Sequence, residues 1–179
     1  MAKQYDSLSP ELNEFITNQK MFFVATALEN GKVNLSPKGT DSFRILGPNR
    51  VLWLNLTGSG NETAAHLLKS NRITLMFCSF EQKPLILRLY GTAKTYHPKD
   101  DEWDNFINMF PEQLGARQLV DVSIEMVQTS CGFAVPFMEY KGERDTLEVW
   151  ANNKGENGIN DYWKEKNKLS LDGDETGIL

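Results

Sequence analysis

From Leu119 to Val127, apolar and polar side chains alternate without interruption. Val120, Val122, Ile124 and Met126 fall on one side, and Asp121, Ser123 and Glu125 on the other. A period of two is what a strand with one buried and one solvated face requires. Segments of similar length and apolar content recur: Met21 to Ala27, Lys32 to Leu35, Phe43 to Leu46, Val51 to Leu56, Ile73 to Phe80 and Leu85 to Tyr96 all read as strands. Short turn signals separate them, namely Glu29-Asn30-Gly31, Gly47-Pro48-Asn49 and Lys83-Pro84. Such connections suit antiparallel neighbours, and no βαβ order is evident. Closure into a barrel with peripheral helices is the natural solution, because it removes exposed strand edges.

Helix signals lie between and beyond these strands. Ser9 caps, Pro10 takes the first helical position and Glu11 suits the positive end, which predicts a helix to about Asn18. Ala64, Leu67 and Leu68 share one face of a helix that Asn61 would cap and Ser70-Asn71 would end. Pro98 to Phe110, Asp145 to Asn153 and Asn160 to Asn167 also read as helical, and the tail from Ser170 to Leu179 as irregular. Pro37 and Gly39 interrupt the second strand, and Gly91 marks a bulge or a close approach in the longest one.

The 179 residues, 40% hydrophobic, suffice for one domain spanning 1–179 with a helical C-terminal extension. A formal net charge of -5 argues against non-specific nucleic-acid binding. No apolar run has the length of a membrane span, and the opening MAKQYDSLSPELNEF has no apolar signal core. Cys78 and Cys131 form no metal-ligand spacing and fit a reducing compartment. The expectation is a soluble cytoplasmic domain.

The chemistry concentrates in Thr57-Gly-Ser-Gly-Asn-Glu-Thr63. Free amides and the dipole at a helix start favour an anion, and phosphate above all. Hydroxyls of Thr57, Ser59 and Thr63 and the charge of Lys38 could join them. The segment is neither a P-loop nor a dinucleotide turn, and sequence physics alone favours a capped helix without a ligand. Arg88, inside the apolar run Leu85 to Gly91, must face solvent, a partner charge or a ligand anion. His66 and His97 have no partners at metal-ligand spacing. Cys131 and the pair Tyr162-Trp163 read as packing.

In its order of motifs the chain resembles the pyridoxamine 5'-phosphate oxidase-like, FMN-binding split-barrel family. The segments that carry the likeness are Val33 to Lys38, Leu54 to Thr57, Gly58 to Thr63, Asn71-Arg72 with Ile73 to Phe77, and Arg88 before Gly91, over roughly residues 10 to 135. The resemblance implies a mainly β fold, an antiparallel six-stranded split barrel. It also implies a homodimer with FMN held between subunits, and the histidine spacing above adds the expectation of no metal. The carried-over cofactor-binding residues are Asn34, Ser36, Lys38, Gly39, Thr57, Gly58, Asn61, Thr63 and Arg88. Asn61 and Thr63 would meet the phosphate, and Lys38 the flavin ring or ribityl chain. Arg88 would reach the cofactor across the dimer interface. The chain departs from the true oxidases at Val33, where they have arginine, and at Glu62 and Thr63, where they have basic residues. It also lacks their terminal Arg-x-His motif. The resemblance therefore implies an FMN-dependent oxidoreductase on a small molecule. A flavin-binding module without turnover, a divergent B6-phosphate oxidase and a ligand-free β-barrel interaction protein are the alternatives.

Overall fold

The computed structural model describes residues 2–179. Its elements run β1 (Lys3–Tyr5), α1 (Pro10–Asn18), β2 (Met21–Thr26), β3 (Asn34–Gly39), β4 (Phe43–Gly47), β5 (Arg50–Leu56), α2 (Glu62–Lys69), β6 (Arg72–Cys78), β7 (Ile86–Tyr96), α3 (Trp103–Phe106), β8 (Ala116–Ser130) and α4 (Thr146–Tyr162). A 3-10 turn at Ile107–Met109 follows α3, and a π-helical turn at Trp163–Asn167 follows α4. All strand pairs are antiparallel. The sheet has eight strands in the order β3-β2-β6-β7-β8-β5-β4, with β1 added on β8. The expected six-stranded barrel is thus an eight-stranded one. One addition is β1, whose Lys3-Gln4-Tyr5 is exposed throughout and carries no apolar alternation to betray it.

The ends of this order explain the curl. β3 and β4 are the two edges of the sheet, yet only Thr40 to Ser42 separate them in the chain. So short a link forces the edges together, and the sheet closes into a split barrel whose seam lies at that turn. Thr40 carries the strain, with φ of 62°, a region β-branched residues avoid. The interior is apolar. Val24, Val51, Trp53, Leu75, Leu87, Leu89 and Val122 are fully excluded from water, and Phe22, Phe43 and Phe77 stack or meet edge to face among them. A second cluster, Leu52, Leu54, Leu119, Trp103 and Phe110, seats α3 on the other face of the sheet.

Two details of alternation follow from one bulge. The β7–β8 register slips between Tyr90 and Gly91, so that Gly91 faces Ile124 and Glu125 is left over. Past that point the buried phase moves to Val127, and Met126, expected inside, is half-exposed. Gly91 itself is a close approach. A Cβ there would lie 2.0 Å from the Ser123 carbonyl oxygen. Gly91→Ala is expected to cost about 3 kcal/mol or more, because two paired strands must separate to admit the methyl. Urea unfolding of the variant measures it.

The helix expected over Pro98 to Phe110 is shorter, with only Trp103–Phe106 α-helical. The Asp100 carboxylate accepts the His97 amide and holds the preceding residues in a turn instead. The two C-terminal helices form one element broken at Gly155, where φ is 67° and ψ is 171°. The tail is irregular but tied down. Asp172 pairs with Lys32, Asp174 with Lys69, and the Leu171 amide donates to Glu62.

Candidate functional site

Period-two alternation on β3 puts Asn34, Ser36 and Lys38 on its inner side, while Leu35 and Pro37 point out. Facing them across the seam are Asn55 of β5, the Gly58 to Thr63 segment and Arg117 of β8. Together they line a polar cavity of about 220 Å³. Asn34, Ser36, Lys38, Gly58, Asn61 and Thr63, singled out from the sequence, are therefore neighbours in space. Gly39 and Thr57 line a second cleft of about 700 Å³, which shares Lys38, Gly58 and Ser59 with the first. Arg88 lines neither. It sits half-buried on β7, donating to the Ser130 hydroxyl at 3.2 Å.

Lys38 donates to Asn55 Oδ1 at 3.1 Å and lies 5.0 Å over the Trp53 ring. Arg117 is 2% exposed and donates to the carbonyls of Gly60, at 3.0 Å, and Gly58, at 3.4 Å. Its Nε has no partner. Among the described residues neither cation pairs with a carboxylate. Glu62 lines the cavity, but its carboxylate is drawn to the Leu171 amide at 3.1 and 3.2 Å. Burial, and secondarily the like charge of Arg117, lowers the Lys38 ammonium to about 8 from its usual 10.5. Burial likewise lowers Arg117 to about 10. Two desolvated cations without a counter-ion are costly, and an anion placed between them removes that cost. The amides of Gly58, Ser59, Gly60 and Asn61 have no acceptor among the described residues, which adds donors for the same ligand.

Asn61 occupies the N-cap position of α2 without capping it. Its side chain turns into the protein. It donates to the Asn167 carbonyl at 3.1 Å and accepts from Gln118 Nε2 at 2.9 Å. Gln118 accepts from Asn55 at 2.8 Å and lies 3.2 Å from His97 Nε2. A buried polar chain thus runs from His97 through Gln118 and Asn55 to Lys38. Burial lowers the His97 pKa, so its neutral form is favoured, with Nε2 free to accept from Gln118. His66 is buried as well, against Thr26 Oγ1 at 3.0 Å, and Asn34 bridges Thr26 to Thr63. Both histidines, without partners at metal-ligand spacing in the sequence, bond to side chains that support this cavity.

The C-terminal extension closes the site from outside. Trp163 Nε1 donates to Thr57 Oγ1 at 2.8 Å, and Asn167 Nδ2 to the Gly58 carbonyl at 2.9 Å. Arg117, Asn55, Gln118 and Asn167 were not anticipated. Only Arg117-Gln118 left a signal, as a polar pair just ahead of an apolar strand. Cys78 is buried, Cys131 is exposed and both are free. No group of three metal-binding side chains occurs among the described residues, and no helix there is long and apolar enough to cross a membrane.

A curled antiparallel barrel with a cavity lined by Lys38 and Arg117 at its seam defines a class. Within it, the chain belongs to the pyridoxamine 5'-phosphate oxidase family, whose sequence model matches residues 8–147. It is 34% identical to the pyridoxamine 5'-phosphate oxidase family protein ustO of Aspergillus flavus, over 94% of this chain and 75% of that one. Its fold resembles that of HutZ, the heme storage protein from Vibrio cholerae, with a TM-score of 0.51 and 20% identity over 70% of this chain and 97% of that one. It also resembles a FAD-binding protein from Mesorhizobium loti, with a TM-score of 0.50 and 12% identity over 72% and 97%.

Proposed function

We propose that this protein is a flavoprotein that holds FMN by its phosphate between Lys38 and Arg117, and that it acts as an oxidoreductase on a small organic molecule. The observation that carries the reading is buried Arg117 beside half-buried Lys38, neither paired with a carboxylate, in a cavity lined by amides and hydroxyls. Family membership and the flavin-binding neighbour support it. Arg117 supplies charge that the family's motif places at the positions of Val33, Glu62 and Thr63 here. A bound flavin supplies the hydride or electron transfer. The chain's own residues bind and orient it, with Lys38 at the junction of the two cavities.

A homodimer completes the proposal. Val33, just ahead of edge strand β3, is 74% exposed, Leu35 within it is 65% exposed, and Phe133 and Phe137 stand 82% and 72% exposed. Bare apolar side chains at an edge strand and on the segment after β8 favour a second copy of the chain. The two free cysteines fit a reducing, cytoplasmic setting.

The test is a visible absorption spectrum after incubation with FMN and gel filtration. A retained flavin spectrum at one FMN per chain of a dimer is the expected result. Bleaching by a reduced nicotinamide would then mark turnover, and bound FMN that no physiological donor reduces would mark a carrier or sensor. A colourless protein that ignores FMN would sink the flavin reading.

A further inference from the structure

The larger cleft has a wall that the family's matched segment does not supply. Trp150 and Tyr162 line it, and both lie beyond residue 147. Twelve residues apart on a straight helix, they would be separated by about 18 Å. Gly155 breaks the helix with a positive φ, and the two rings meet edge to face with centroids 5.1 Å apart. Lys154, which is not a cleft residue, lies 5.3 Å from each ring centroid and holds the pair from behind. The wall is anchored at its base by Trp163 on Thr57, by Asn167 on Gly58 and by buried Ala151 against Gly115. It is therefore preformed rather than assembled on binding.

Charge in the cleft is one-sided. Lys20, Lys38 and Arg144 stand against Glu143 alone. Glu143 accepts the Tyr140 hydroxyl at 2.8 Å, and Lys20 lies over the Tyr140 ring at 5.5 Å. Arg144 has no ion-pair partner among the described residues. A planar guanidinium beside an aromatic corner suits a planar anion joined to a conjugated system. A cleft of about 700 Å³ has room for such a molecule beside a ring system that enters from Lys38.

We propose that the Trp150–Tyr162 wall, with Arg144 at its rim, is a substrate subsite for a flat, conjugated organic carboxylate. Its role as a substrate site rests on the flavin reading, while the recognition itself does not.

Isothermal titration of the full chain, with and without FMN, tests it with three probes: cinnamate, cinnamyl alcohol and cyclohexanecarboxylate. Cinnamate is expected to bind tightest and to quench tryptophan emission. Arg144→Gln, an exposed change that leaves the fold alone, should weaken cinnamate by roughly tenfold while the alcohol is unaffected. Trp150→Leu should weaken both flat probes by roughly tenfold. FMN retention should not change in Arg144→Gln. No cinnamate binding at millimolar concentration, equal binding to wild type and Arg144→Gln, or competition between cinnamate and FMN would each overturn the subsite. A protein that ignores FMN but binds cinnamate with this Arg144 dependence would keep the subsite and remove the flavin reading.

Discussion

Arg117→Met should weaken FMN by at least about thirtyfold and yet leave the unliganded protein as stable as before, or more so. The two halves have one cause. Arg117 is buried with its Nε unpaired and no carboxylate beside it. A methionine of similar volume removes a desolvated charge, and replacing buried ions by apolar groups is often neutral or stabilising by about 1–4 kcal/mol. In the complex the same substitution leaves a phosphate without its buried partner, a loss of about 2–5 kcal/mol, or roughly thirty- to several-thousand-fold in affinity. The released carbonyls of Gly58 and Gly60 set the limit on the stability gain. Thermal melting with and without FMN reads both effects in one experiment. A variant that melts lower and binds FMN normally would make Arg117 a structural tie of the Gly58 to Gly60 loop and nothing more.

FMN affinity should fall as pH rises through about 8, by up to tenfold per unit, with Lys38 as the cause. Its unliganded ammonium titrates at about 8, lowered by burial and by Arg117. A bound anion keeps it protonated, so binding above that pH must take up a proton. The phosphate is already fully ionised there, its second pKa being about 6, so the slope belongs to the protein. Lys38→Met should flatten the profile between pH 7 and 9 and weaken binding at pH 7 by about tenfold to a hundredfold, as expected for a lost hydrogen bond to a charged group. The same shift acts on folding with a defined sign. Between about 8 and 10.5 the unfolded chain holds the Lys38 proton and the unliganded native chain does not. Stability of the unliganded protein should therefore rise with pH across that window, while the complex loses affinity. Titrating retained flavin fluorescence from pH 7 to 9.5 decides the matter, and a flat wild-type profile would place the anion away from Lys38.

Much of the architecture was legible locally. Period-two alternation in β8, the turn at Glu29-Asn30-Gly31 and the start of α1 at Ser9-Pro10-Glu11 depend on residues a few positions apart, and the structure reproduces them. Ser9 does cap, accepting the Leu12 amide at 3.3 Å. Gly91 likewise announced its close approach. What alternation cannot reveal is where its phase slips. The bulge opposite Glu125 is set by how β7 and β8 pair, and it moved Met126 out of the core.

The cavity divides in the same way. Asn34, Ser36 and Lys38 share a strand face, and Gly58 to Thr63 share a helix start, so each set could be read as a unit from spacing. That the two sets meet depends on the closure of the sheet at Thr40 to Ser42, a consequence of strand order that no local pattern encodes. Arg117 lines the same cavity, and Gln118 and Asn167 bond to its lining residues, from 57 to 109 residues away along the chain. Their contacts exist only after β8 pairs with β5 and the C-terminal extension docks. The amino-acid order settled which apolar segments become the long strands and which loop leaves its backbone bare at a helix start. Only the packed chain decided which cations stand beside it unpaired, because burial and the loss of a counter-ion are properties of neighbours in space.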